Sequence, residues 1–264
     1  MSRRIRKIKK NNTRSIYLHE ILNHGNLMEK DKRINIISKN KAISFKNNIS
    51  EDLIYLMSQF FIHSEKERRK EITFCLKKNI ELLGKIILLN ERIYSPEEMD
   101  LTQEEYDKVE QIIVAERLTY KIFLDNVKKL NIQGYFVLAN LDIFFDSTLF
   151  NVKKSTLSIE RSLFALSRIE NNPLNGNKEE FMRADSQDSW ILHSKYLDFE
   201  TDDFNIRLGV AGCDNKIPLF FHKKEFKIYN CPYLVKSYHN HRSRERNRTD
   251  KTKIMPPYFS PMPV

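Results

Sequence analysis

The stretch Gly134-Tyr-Phe-Val-Leu-Ala-Asn-Leu-Asp142 decides how this chain is read. An apolar run ends in Asn140 and Asp142, and Ile143-Phe-Phe-Asp146 brings a second acid a few residues later. A run of this kind suits a strand buried on both faces of a sheet. A carboxylate at its end needs a cation or several donors, since an unpaired buried charge is costly. The end of such a strand is where an α/β sheet can hold a metal. An Asp after a strand also forms turns or caps helices, and Asp146, followed by Ser147 and Thr148, is expected to cap a short helix.

Working outward, Asp52 to Ile62 reads as another buried strand. Glu67 to Leu83 has apolar residues at helical spacing (Ile72, Leu76, Ile80, Leu83), and Lys85 to Leu89 is strand-like again. The pattern repeats with a strand at Gln111 to Val114, a helix at Leu118 to Leu130 and the strand already quoted. This alternation predicts an α/β fold with a mostly parallel sheet and helices on both faces. After Asp146 it loosens. Leu163 to Leu166, Trp190 to Leu192 and Lys227 to Tyr229 predict further strands in a mixed-sheet C-terminal extension that forms the other wall of a site.

In parallel sheets ligands gather outside the carboxyl ends of the strands. Those ends carry Ser58 to His63, Asn90, Glu91, Arg92, Glu116, Arg117 and Asn140 to Asp146, polar groups able to converge on one crevice. Three later clusters carry chemistry. Asp185 and Asp188 precede Trp190, which suits either the core or a stacking surface for a ring. Gly212-Cys-Asp214-Asn215 opens a helix, so Asp214 is either its cap or a general base held beside the crevice. His239 and His241 alternate across one residue, so on an extended segment both face one side and can reach one metal.

The 264 residues fit one domain with a tail at each end, and the net charge of +10 lies mostly in those tails. Arg3, Arg4, Arg6, Lys7, Lys9, Lys10 and Arg14 crowd the start, and Arg242, Arg244, Arg246, Arg248, Lys251 and Lys253 lie near the end. Such ends attract anionic surfaces weakly and imply no specific nucleic acid. The expected division is a basic, partly disordered lead-in at 1–48, a domain at 49–245 and a basic, proline-rich tail at 246–264, extended along the surface. Three cysteines (Cys75, Cys213, Cys231) without a close pair support neither a disulfide framework nor a cysteine-rich zinc site. No segment has the make-up of a secretory signal or a membrane span, so the expected location is the cytoplasm.

The ordered series Glu91 to Tyr94, Arg117 to Tyr120, Ala139 to Asp146, Ala165 to Arg168, Ser186 to Trp190, Gly212 to Asn215 and Tyr238 to His241 resembles a family of glycosyltransferase-like proteins of large DNA viruses, algae and bacteria. The resemblance spans about residues 50 to 245. It is also similar to the wider GT-A plan, in which a Rossmann-like half binds a nucleotide-sugar, an Asp-X-Asp motif ends the central strand and a late histidine completes a metal site.

The resemblance implies a hexosyl or related sugar transferase that uses Mn2+ or Mg2+, a nucleotide-sugar donor and a glycan or other hydroxyl acceptor. Asp142, His239 and His241 would hold the metal, and Asn90, Glu91, Arg117, Asn140 and Asp142 the donor. Asp214, with Asp188, would serve catalysis, while Trp190 and Asn215 would face the acceptor. Asn140 stands where the plan has its first acid and brings a carbonyl without charge, which leaves metal dependence open. Leu141 stands where members often have a small residue, a change that would narrow the site. The same acids and imidazoles suit a metal-dependent nuclease or other phosphodiester enzyme. Asn140 also keeps open a non-catalytic nucleotide-sugar-binding module of the same fold.

Overall fold

The computed structural model describes residues 50–114, 116–172, 175–181, 183–241 and 253–264, with the backbone of 14–17 and 34–38. Most of the expected lead-in at 1–48 and the basic run at 242–252 lie outside the described residues. Two strands of that lead-in, β1 (Arg14–Tyr17) and β2 (Ile34–Ser38), pair in parallel. The next elements are β3 (Leu53–Ser58), α1 (Lys66–Leu83), β4 (Ile86–Asn90), α2 (Pro96–Met99), α3 (Gln103–Tyr106) and β5 (Val109–Ile113). They are followed by α4 (Tyr120–Leu130), β6 (Gly134–Ala139) and β7 (Ile143–Phe145).

The second half holds β8 (Ser162–Leu166), β9 (Arg168–Asn171), β10 (Lys178–Phe181), β11 (Ser189–His193), α5 (Cys213–Lys223), β12 (Lys227–Tyr229), β13 (Ser237–Asn240) and β14 (Tyr258–Pro261). The Rossmann-like α/β plan expected from the sequence is present.

A seven-stranded sheet in the order β12-β8-β11-β6-β3-β4-β5 forms the centre. All its strands run parallel except β11, which is antiparallel to both neighbours. Side-chain alternation sorts each strand between two cores. Phe136 and Leu138 of β6 face α4 and α5, whereas Tyr135, Val137 and Ala139 face α1 and the segment after β7. The helices follow from their own spacing. Tyr120, Phe123, Leu124 and Val127 of α4 are buried at i, i+3, i+4 and i+7, with Thr119 accepting from the Ile122 N–H as cap. Gly84, at φ 71°, ends α1 in the left-handed conformation that glycine adopts without penalty.

From β3 the chain steps outward to β4 and β5, then returns to lay β6 on the other side of β3. That reversal falls between β3 and β4 on one side and β6 on the other, and the carboxyl ends of strands at such a point are where open α/β sheets bind ligands. The strands expected for a C-terminal mixed-sheet extension, at 163–166, 190–192 and 227–229, instead complete the central sheet as β8, β11 and β12, and a separate sheet of four strands, β10-β9-β13-β7, packs β7 and β13 against α1.

The expected surface tail is corrected in part. Residues 258–261 form β14, which pairs with β2 and packs on α5, and Phe259 is fully buried in the core. Proline lowers the freedom of this segment while Phe259 supplies the apolar area that anchors it. Phe259→Ala is expected to destabilise the domain by about 3–5 kcal/mol. An unchanged denaturant midpoint would show that the segment only drapes over the surface.

Candidate metal and transfer site

Asp142, three residues beyond the end of β6, is the centre of the site and is 7% exposed. Its Oδ2 accepts from His239 Nε2 at 3.0 Å, lies 3.4 Å from His241 Nδ1 and pairs with Arg68 Nη2 of α1. The Asn240 N–H donates to the Asp142 carbonyl at 2.8 Å, so β13 is fastened to this loop by its backbone as well. Antiparallel pairing with β7 sets His239 opposite Ile143, beside the loop that carries Asp142. Asp142, His239 and His241 each offer a ligand atom within 4.8 Å of the others.

The surroundings orient these groups. Glu170 of β9 lies in register with His239 and accepts from its Nδ1 at 2.7 Å, turning Nε2 toward Asp142. A carboxylate behind an imidazole is the usual device for fixing a metal-binding tautomer. Burial alone would raise the Asp142 carboxyl, yet the hydrogen bonds from His239 and His241, with the charges of His239 and Arg68, hold it well below its ordinary value. Burial works against the His239 imidazolium, but Asp142 and Glu170 push its value up to about 9. Glu170 is likewise disfavoured by burial and is nonetheless brought down to about 2 by His239 and Arg168.

A second arm leads toward Asp214. Arg168 of β9 bonds Glu170 through Nε at 2.7 Å, and its Nη1 pairs with Asp188 Oδ2 and donates to Ser186 Oγ at 3.1 Å. Asp188 Oδ1 accepts from Asn140 Nδ2 at 2.8 Å. Asp214 lies in the first turn of α5, and burial followed by the charge of Asp188 pushes its carboxyl up to about 7. Cys213 Sγ donates to Asp214 Oδ1 at 3.0 Å and accepts from Tyr120 Oη–H at 3.4 Å. The turn before it needs glycine: Gly212 sits at φ 89°, and a Cβ there would lie 2.9 Å from the Ile254 carbonyl oxygen.

The sequence candidates separate into two groups. Asp142, His239, His241, Asn140 and Asp188 share one network of bonds through Glu170 and Arg168, and Asp214 is coupled to it by the charge of Asp188. Glu91 and Arg117 are exposed on the neighbouring rim, 3.9 Å apart, with the Arg117 guanidinium over the Phe61 ring. Four assignments change. Asn90 is fully buried, accepts from the Phe60 N–H at 2.8 Å and donates to Gln111 at 2.8 Å, so both ends of its amide hold loops together. Trp190 is 1% exposed and meets Tyr120 edge to face, which leaves no open ring for an acceptor. Asn215 is buried between the Asp185 carbonyl and Ser260, tying the C-terminal segment down. Asp188 has both oxygens engaged and is suited to orienting neighbours rather than receiving a proton.

Sequence reasoning missed Arg68, Glu71 and Glu170 and gave Arg168 no role. Asp146 caps Thr148 N–H at 2.9 Å as expected and accepts from Tyr238 Oη–H at 2.7 Å.

The donor set fits a divalent ion. Two imidazoles and a carboxylate are donors that a divalent metal ion takes, Glu170 supplies the outer support, and the buried Nε2 of His241 has no hydrogen-bond partner among the described residues.

The fold and the cluster together define a Rossmann-like α/β protein with an Asp-His-His centre at the carboxyl edge of its sheet. No protein-family model matches the chain, and no curated protein does. Among solved structures, it is similar to a crystal structure of a glycosyltransferase involved in the glycosylation of the major capsid of PBCV-1, at 11% identity and a TM-score of 0.38, over 73% of this chain and 95% of that one. A likeness that distant carries no argument about activity. No helix among the described residues is long and apolar enough to cross a membrane.

Proposed function

We propose that this protein is a nucleotide-sugar-dependent glycosyltransferase that moves a sugar to a hydroxyl acceptor. The reading is supported by the Asp-His-His donor set just past the end of β6 in a parallel sheet, bonded through Glu170 and Arg168 to Asp188, whose charge helps push the Asp214 carboxyl up to about 7. A divalent ion held by Asp142, His239 and His241 would neutralise the departing nucleoside diphosphate.

The remaining steps belong to the chain's own groups. Asp214 takes the proton from the acceptor hydroxyl as its oxygen bonds the anomeric carbon and the bond to the diphosphate breaks. Cys213 holds one oxygen of Asp214 and fixes the orientation of its carboxylate at the start of α5. Arg168 and Asp188 join the two halves, holding Asn140 beside the donor and setting the charge that tunes Asp214. Arg117 over Phe61, with Glu91, forms a rim of the kind that holds a nucleotide's polar and flat portions.

The test is a panel of nucleotide-sugars with and without Mn2+. One donor is expected to raise the melting temperature by about 5 °C or more at saturating concentration, only with the ion present, and to be slowly hydrolysed. No shift and no hydrolysis across the panel would sink the reading.

A further inference from the structure

The Arg68 guanidinium holds an oxygen that a divalent ion at the candidate centre would need. Its Nη2 pairs with Asp142 Oδ2, the same oxygen that His239 and His241 approach, and its Nη1 bonds Glu71 at 2.8 Å. The side chains of Arg68 and Asp142 are 14% and 10% exposed, so water screens this pair weakly. An ion bound among Asp142, His239 and His241 would face a fixed positive charge bonded to one of its own ligands.

We infer that Arg68 is an exchangeable resident cation: it holds the Asp142 centre closed in the ion-free protein, leaves that oxygen when the metal enters, and turns to the phosphates of the donor. The inference rests on the metal reading above and adds a residue and a coupling to it. Three features favour an exchange over a permanent ion pair. Arg68 lies in the first turn of α1, the helix that follows β3, and its long side chain already reaches the loop after β6, at the strand ends where a donor would lie. Glu71 is one turn further along the same helix and keeps one guanidinium nitrogen paired while the other changes partner. A planar fork with several donors bridges phosphate oxygens in the way it bridges two carboxylates. Metal and donor binding should therefore reinforce each other, because each stabilises the position of Arg68 that the other needs.

The experiment compares the full-length wild type with Arg68→Gln and Arg68→Lys in the absence of turnover. Mn2+ binding is followed by calorimetry and by electron paramagnetic resonance of the free ion, and inorganic pyrophosphate is then titrated at saturating Mn2+. Arg68→Gln is expected to bind Mn2+ at least tenfold more tightly than wild type and pyrophosphate at least tenfold more weakly. Arg68→Lys keeps a charge but lacks the fork, so it is expected to fall between them; it also serves if the Gln variant does not fold. Mn2+ affinity unchanged or weakened in both variants would overturn the exchange while leaving the metal site standing. Unchanged pyrophosphate affinity would overturn the transfer to phosphate. Absence of Mn2+ uptake by all three proteins would remove the metal site and the exchange with it.

Discussion

Asp142→Asn is expected to lower sugar transfer by at least about a thousandfold and to abolish Mn2+ binding, because one substitution removes the charge on which three elements converge. The change is close to isosteric, so the loss would not reflect an altered cavity. It would also leave the guanidinium of Arg68 and the imidazolium of His239 facing a neutral amide in a site of low exposure. Removing one partner from a buried ion pair costs about 3–5 kcal/mol. For a domain of this size that corresponds to a fall in melting temperature of roughly 10 °C. Calorimetry with Mn2+, read beside thermal denaturation, separates the two effects: wild-type ion affinity in a folded Asp142→Asn protein would dismiss Asp142 as a ligand.

Asp214→Asn is expected to behave in the opposite way toward stability. Its carboxyl titrates at about 7 in the folded protein, against an ordinary value of 3.8. Between those limits the folded state binds the extra proton, so the charge costs stability as pH rises from about 4 to 7, and the penalty is fully present above 7. The neutral amide escapes it. With allowance for solvent reaching this partly open residue, the gain at pH 8 is of the order of 1–2 kcal/mol. Transfer should fall by at least about a thousandfold in the same variant, since no base remains for the acceptor hydroxyl. The wild-type rate should rise with pH through about 7 and then level off. A variant that is more stable yet inactive marks a residue kept for chemistry; one that transfers normally would exclude Asp214 as the base.

Much of the central sheet was legible because its strands are buried on both faces and its helices carry apolar residues on one. Those are local signals, visible within a dozen residues. The cluster of Asp142 with the paired histidines could also be found, since the acid stands where an apolar run stops and the imidazoles alternate across one residue. Arg68 could not. It lies within Lys66-Glu-Arg-Arg-Lys70, which reads as an ordinary solvated helix face, and only the return of β6 beside β3 brings Asp142 to it. Glu170 and Arg168 sit on a short strand with polar neighbours, and Glu170 meets His239 across 69 positions. Trp190 and Asn90 misled for the converse reason: residue types common at ligand sites are equally useful in cores, where an indole fills volume and an amide joins loops. Phe259 was hidden by the prolines around it.

The placement of β13 between β7 and β9 makes the centre a matter of phase. Side chains on a strand change faces with every residue, so a one-residue deletion between Cys231 and His239 would swing both imidazoles away from Asp142 and Glu170 together, although every functional residue were still encoded. The turn joining β9 to β10 lies outside that constraint, since it falls on the far side of β9 from β13. Substitution and length change therefore probe different properties of this protein: the first asks what the donors are, the second whether they keep step.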